Sequence, residues 1–149
     1  MKNIISSLLV ISTVFNGSCS SQKKIQIDQN KSVANNQKNI VEKIELTEQT
    51  RGTDRKITYT PLYIITSLNG KSSSLEMSFD GWKNIVKQAN SVNLSEIASY
   101  QAPTSGRFSD RALSSTISII SKGKTYQSAE FDAGAPPKEL EALYQTLKK

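Results

Sequence analysis

Between Ile40 and Phe131 the apolar residues return at every second position in five stretches. A period of two restricts this part of the chain to strands that bury one face of a sheet. The first stretch, Ile40 to Thr50, carries Ile44 and Leu46 in alternation and ends at the turn Arg51-Gly52-Thr53-Asp54. A long β-rich run follows, with Ile57, Tyr59, Tyr63 and Ile65 expected on one side. Pro61 removes a ladder donor within it, so the run is expected to bend there or to lie at an edge. Asn69-Gly70 closes it with a strong hairpin signal. Leu75, Met77 and Phe79 then alternate with Ser74, Glu76 and Ser78 as a third strand. Leu113, Ser115, Ile117 and Ile119 share one face of a fourth, and Lys122-Gly123 turns the chain into a fifth, Thr125 to Phe131.

Two segments follow the helical period instead. Asp80 is a suitable N-cap for a helix bearing Trp82, Ile85, Val86 and Ala89, which leads into a short turn with Leu94 and Ile97. Pro136-Pro137 opens a last helix with Leu140, Leu143, Tyr144 and Leu147 at i, i+3, i+4 and i+7. The order βββ-α-ββ-α predicts an α+β domain, an antiparallel five-stranded meander with two helices on one face. Trp82, Phe79, Tyr144 and the strand isoleucines are its expected core.

Two absences narrow the chemistry. The chain has no histidine, so an imidazole base, a histidine-dependent triad and a histidine-containing zinc site are excluded. Its one cysteine, Cys19, precedes the folded part, which leaves the domain without a disulfide, a thiol nucleophile or a thiolate metal site. Neither a metal nor a cofactor is expected. The net charge of +6 is unevenly spread: residues 20–39 carry Lys23, Lys24, Lys31 and Lys38 against Asp28 alone, and residues 40–149 are nearly balanced. With no basic stripe in the domain, nucleic acid is not an expected partner. Asp54, Asp110 and Asp132 are the plausible carboxylates for acid–base work, but no spacing pairs them, and no glycine spacing forms a phosphate loop. Catalysis is therefore not expected.

Residues 1–18 read as an export leader, with Lys2 as a short positive region and an apolar stretch from Ile4 to Phe15. That stretch is shorter than the roughly 20 residues a spanning helix needs. Asn16-Gly17-Ser18-Cys19 resembles the lipobox of bacterial lipoproteins, with Asn16 where leucine is usual. The resemblance implies a diacylglycerol on Cys19 and cleavage before it, giving a membrane anchor through acyl chains. Residues 19–39 then form the lipidated cysteine and a polar tether, and residues 40–149 a single α+β domain. Ser20, rather than an acid, after the cysteine implies the outer membrane, and the lack of a following acidic cluster implies its periplasmic face.

Two segments concentrate polar residues enough to suggest recognition. Arg51, Asp54 and Arg55 surround a glycine turn, where guanidinium groups can grip a carboxylate or phosphate. Arg107, Asp110 and Arg111 occupy the longest loop, residues 101–111. Both also admit a plain structural explanation, an Asp–Arg pair in the turn and local bracing in the loop. In a third segment, 131–137, Asp132 is expected to cap or orient the strand-to-helix connection.

These motifs carry a resemblance. Arg-Gly-Thr-Asp-Arg (51–55), Trp82, Pro-Thr-x-Gly-Arg-x-x-Asp-x-Ala (103–112), Tyr126, Phe131-Asp132 and Pro-Pro-x-x-Leu (136–140) are similar to a set of uncharacterised small lipoproteins of the Bacteroidetes. More distantly, the layout resembles emfourin, an inhibitor of thermolysin-like metalloproteases. The Gly-Gly-Phe-Ala-Gly stretch of that family is represented here only by Gly52, so no inhibitory residue carries over. The expected function is a membrane-anchored envelope lipoprotein with a non-catalytic binding or accessory domain, acting on an envelope protein. An emfourin-like inhibitor and a hydrolase using carboxylates or serine are the alternatives.

Overall fold

The computed structural model describes residues 40–149, and the expected leader, Cys19 and tether lie outside them. It is α+β: an antiparallel sheet with two helices. The strands are β1 (Val41–Thr50), β2 (Thr53–Tyr59), β3 (Tyr63–Leu68), β4 (Lys71–Glu76), β5 (Ser114–Ser121), β6 (Lys124–Gln127) and β7 (Phe131–Asp132). The helices are α1 (Phe79–Ala89) and α2 (Glu141–Leu147). The sheet runs β4-β3-β2-β1-β5-β6, with the two-residue β7 also on β5. β1 to β4 form a meander, and β5 returns from the far edge to pair with β1.

The sheet thus has seven strands rather than the expected five, and two local features account for the difference. Pro61 does not bend a strand; it lies in the connection between β2 and β3, where Thr60 and Tyr63 exchange hydrogen bonds of 2.9 Å. The hairpin pairs Tyr59 with Ile64, so Tyr59 and Ile57 face inward with Ile64. Tyr63 and Ile65 turn to the opposite, solvent-facing side of the sheet. The expected fifth strand breaks at Ser128, whose hydroxyl accepts from the Ile117 N–H at 3.0 Å in place of a backbone carbonyl. The chain leaves the ladder there and rejoins β5 as β7. The Asn69-Gly70 and Lys122-Gly123 turns are as read, all four residues having positive φ, the geometry that matches strand twist in a two-residue hairpin.

α1 starts earlier than the apolar pattern implied. Ser78 is its N-cap, accepting from the Gly81 N–H at 3.1 Å, and Asp80 lies inside the first turn near the positive end of the helix dipole. Phe79 consequently belongs to the helix and is 79% exposed, so it is not a core residue. Trp82 packs at the margin of the core rather than at its centre. The last helix is also shorter than Pro136-Pro137 suggested, because residues 138–140 make a 3₁₀ turn before α2.

Inward-facing Ile44 and Leu46 of β1 and Ile117 and Ile119 of β5 form one cluster with Ile85 and Ala89 of α1 and Leu143, Tyr144 and Leu147 of α2. Phe131, absent from the expected core, is fully buried and meets Tyr144 edge to face at 5.5 Å. Burying each such side chain contributes about 1.5–3 kcal/mol. The central strands are covered by this layer, but the inward side of β3 and β4 is not: Leu75 is 70% exposed and Leu68 is exposed too. No helix among the described residues is long and apolar enough to cross a membrane.

Candidate functional site

The two recognition segments meet at one end of the sheet. The 51–54 turn is clamped by Asn69 of the neighbouring hairpin. Its side-chain oxygen accepts from the Asp54 N–H at 2.8 Å, and its backbone N–H donates to the Asp54 carbonyl, also at 2.8 Å. Asp54 in turn accepts from the Gln49 side chain at 3.2 Å, which ties it into the turn rather than freeing it for a partner. Arg51 projects, 91% exposed, and its Nε lies 3.6 Å from Asp110 Oδ2 of the long loop. An exposed ion pair of this length contributes at most about 1 kcal/mol. It marks proximity rather than holding the two segments together. Arg111, also exposed, lines a shallow recess of about 210 Å³ with Asp110 and Thr50.

The loop is held from beneath. Asp132 of β7, almost fully buried, accepts from the Gly106 N–H at 2.5 Å, the Arg107 N–H at 2.9 Å and Arg107 Nη1 at 3.2 Å. Arg107 Nη1 also donates to the Thr104 carbonyl at 2.7 Å. These bonds wrap residues 106–109 into a single 3₁₀ turn around the carboxylate. Glycine at position 106 eases this approach, since a Cβ there would lie 3.0 Å from Asp132 Oδ2 and the carboxylate would have to shift by a few tenths of an ångström. The Thr104 hydroxyl, followed by the Arg107 and Gly106 N–H groups and the Arg107 side chain, holds the Asp132 carboxyl at about 2, against burial, which raises it. Asp132 therefore orients its connection as expected. Arg107, only 12% exposed, is committed to that bracing, and Asp110 is not its partner. What the bracing presents to solvent is Phe108, 77% exposed with the Arg107 guanidinium 4.2 Å from its ring centre.

Arg55 is elsewhere. It faces inward from β2 and pairs with Glu48 of β1, a fully buried carboxylate, not with Asp54. Glu48 also accepts from Lys148 Nζ at 3.0 and 3.3 Å and from the Tyr144 hydroxyl at 3.2 Å, and the Tyr144 oxygen accepts from the Gly134 N–H at 2.8 Å. Burial, then the Arg55 charge, pushes the Lys148 ammonium below the usual lysine range. Nearby, the buried Tyr59 hydroxyl donates to the Leu147 carbonyl. Burial pushes this phenol up to about 12, with Arg55 opposing.

Arg55, Lys148 and Tyr59 of this cluster line a groove of about 610 Å³ between the uncovered sheet half and the two helices. Its sheet side is lined by Ile57, Tyr59, Ile64 and Leu75, and its charged lining is Arg55, Glu76, Lys148 and Lys149. The sequence reading missed both Glu48 and the groove, although Glu48 shares the inward parity of Ile44 and Leu46. A charged residue in register with a buried alternation is the signal that could have found it. No group of three potential metal ligands exists among the described residues. Comparison with family models, curated proteins and solved structures finds no match to this chain.

Proposed function

We propose that the chain is an envelope lipoprotein whose folded domain is a non-catalytic binding or accessory module. In this reading the 51–55 turn and the 101–111 loop contact a protein partner of the envelope. The observation that carries it is Phe108, an exposed aromatic side chain on a loop pre-ordered by Asp132, with Arg51 and Arg111 at the same end. Exposed aromatic and arginine side chains on a rigid support are the composition that dominates binding energy in protein interfaces. Pre-ordering the loop lowers the entropy lost on association. The best-buried carboxylates, Glu48 and Asp132, are occupied by internal partners, which favours binding over acid–base work. Arg51, Phe108, Asp110 and Arg111 form the contact surface, Arg107 supports it from beneath, Asp54 holds its own turn, and Arg55, paired with Glu48, takes no part in it.

Anchoring through acyl chains on Cys19, at the periplasmic face of the outer membrane, rests on the leader and the cysteine junction alone. Cys19→Ala is expected to move the chain from the membrane fraction to the soluble fraction. Sedimentation with membranes despite the substitution would remove the anchor.

For the binding surface, a photo-crosslinking amino acid is placed at position 108 in cells, with Lys83 on the exposed side of α1 as the control position. A discrete adduct from 108 and none from 83 is expected. Adding Arg51→Ala and Arg111→Ala should abolish the adduct, with stability changed by no more than about 0.5 kcal/mol, as for other exposed substitutions. Equal labelling from both positions would discard the surface. A metalloprotease in the adduct would turn the assignment toward the inhibition that the emfourin resemblance implies.

A further inference from the structure

We infer that the groove beneath β2–β4 binds a free, single-chain alkyl carboxylate, with the carboxylate at Arg55 and Lys148 and the alkyl chain on Ile57, Ile64 and Leu75. The site is separate from the surface around Phe108, so the two stand or fall independently.

Three observations converge on this ligand. The first is size: about 610 Å³ lies within the roughly 300–1,000 Å³ of small-ligand sites. The path from Arg55 on β2 to Leu75 on β4 covers about 14 Å along the strands and about 10 Å across them. That is room for an extended chain rather than a compact ring system.

The second is charge. Arg55 and Lys148 both contact Glu48 and both line the groove, while Glu48 lies beneath them. Arg55, Lys148 and Lys149 stand against Glu48 and Glu76, so the side chains around the groove leave one positive charge uncompensated, which a monoanion neutralises. The site around Lys148 is partly desolvated, which is why its ammonium is pushed below its usual range, and an added carboxylate relieves that cost.

The third is the nature of the floor. β2 and β3 are paired on both sides and the free groups of the edge strand β4 lie in the plane of the sheet, so the floor of the groove offers side chains alone. A peptide lying there would bury main-chain N–H and C=O groups away from the sheet's own donors and acceptors, at a cost. An alkyl chain has no such groups. Ile64 and Leu75 face each other across the β3–β4 pair and, with Ile57 on the far side of Thr66, give it apolar contacts along the floor. Leu75 then has a reason for its exposure on the helix-covered side of the sheet.

The test uses the full chain carrying Cys19→Ala, so that no covalently attached acyl chain competes. Octanoate, decanoate and dodecanoate are titrated calorimetrically below their micelle concentrations. One site is expected, with affinity rising roughly fourfold for each added methylene. Dodecyltrimethylammonium, with the same tail and the opposite head charge, should bind weaker by about tenfold or more. Thr66→Trp, which fills the middle of the floor, should weaken dodecanoate by about tenfold or more. Asn84→Trp on the α1 wall gives the same readout should the first variant fold poorly. The assignment is overturned by no saturable binding of dodecanoate, by equal binding of the cationic tail, or by affinity indifferent to chain length. Tighter binding of an apolar tetrapeptide with a free C-terminal carboxylate would also overturn it, in favour of a protein terminus.

Discussion

Glu48→Leu should lower the stability of the domain by about 3 kcal/mol, the lower part of the range for breaking a buried ion pair. Glu48 is fully buried and is the shared acceptor for Arg55, Lys148 and the Tyr144 hydroxyl. Without it, two cations face each other in a partly desolvated pocket and the tyrosine hydroxyl loses its acceptor. The loss stays below the upper limit because Arg55 and Lys148 each keep about a third of their side-chain surface in solvent and can turn outward. In a domain of this size the change appears as a fall in melting temperature of roughly 10–20 °C. The triple variant E48L/R55M/K148M should recover most of the loss, to within about 1 kcal/mol of the parent, because replacing a whole buried ionic group by apolar side chains is often neutral. Urea denaturation of the three proteins measures both numbers. If the single and triple variants are equally unstable, Glu48 acts through packing and not through charge.

Acidification should release the 106–109 turn before it opens the sheet. The Asp132 carboxyl titrates at about 2 in the folded domain against an ordinary value of 3.8. A folded value below the unfolded one gives stabilisation that is complete above 3.8 and is lost as pH falls through about 2. Asp132→Ala should reproduce that loss at neutral pH. Hydrogen exchange at the Gly106 and Arg107 amides, both donors to this carboxylate, should accelerate about tenfold or more, as in a local opening. Amides in the β1–β5 ladder, which do not involve Asp132, should keep their protection. Uniform acceleration across the domain would show that Asp132 supports the whole fold. The same variant should weaken crosslinking from position 108, since Phe108 is presented by the turn that Asp132 holds.

These two residues also separate what sequence can and cannot convey. Alternation at Ile44, Leu46, Ile117 and Ile119, the Asn69-Gly70 and Lys122-Gly123 turns and the spacing of Leu140, Leu143, Tyr144 and Leu147 are local signals. Each depends on neighbours one to four positions away, and each recurs in the structure where it was read. The α+β class and the buried side of the central strands follow from them. Boundaries differ from the expected ones for reasons equally local: Pro61 sits in a tight connection, Ser78 caps α1 ahead of Asp80, and Ser128 substitutes its hydroxyl for a ladder carbonyl.

The functional candidates belong to the other category. Arg51 meets Asp110, Glu48 meets Lys148, and Asp132 meets Gly106, pairs separated by 59, 100 and 26 residues respectively. Their meeting depends on β5 crossing back to β1 and on α2 lying over the same face. No periodicity encodes that order, because strand neighbours are chosen by burial summed over the whole core. The sequence by itself thus determined the α+β class, the inward residues of the central strands β1 and β5, and the absence of histidine and thiol chemistry in the domain. Tertiary structure alone decided that Arg107 braces the 106–109 turn against Asp132, that Arg55 faces a buried glutamate, and that two strands keep an apolar side open.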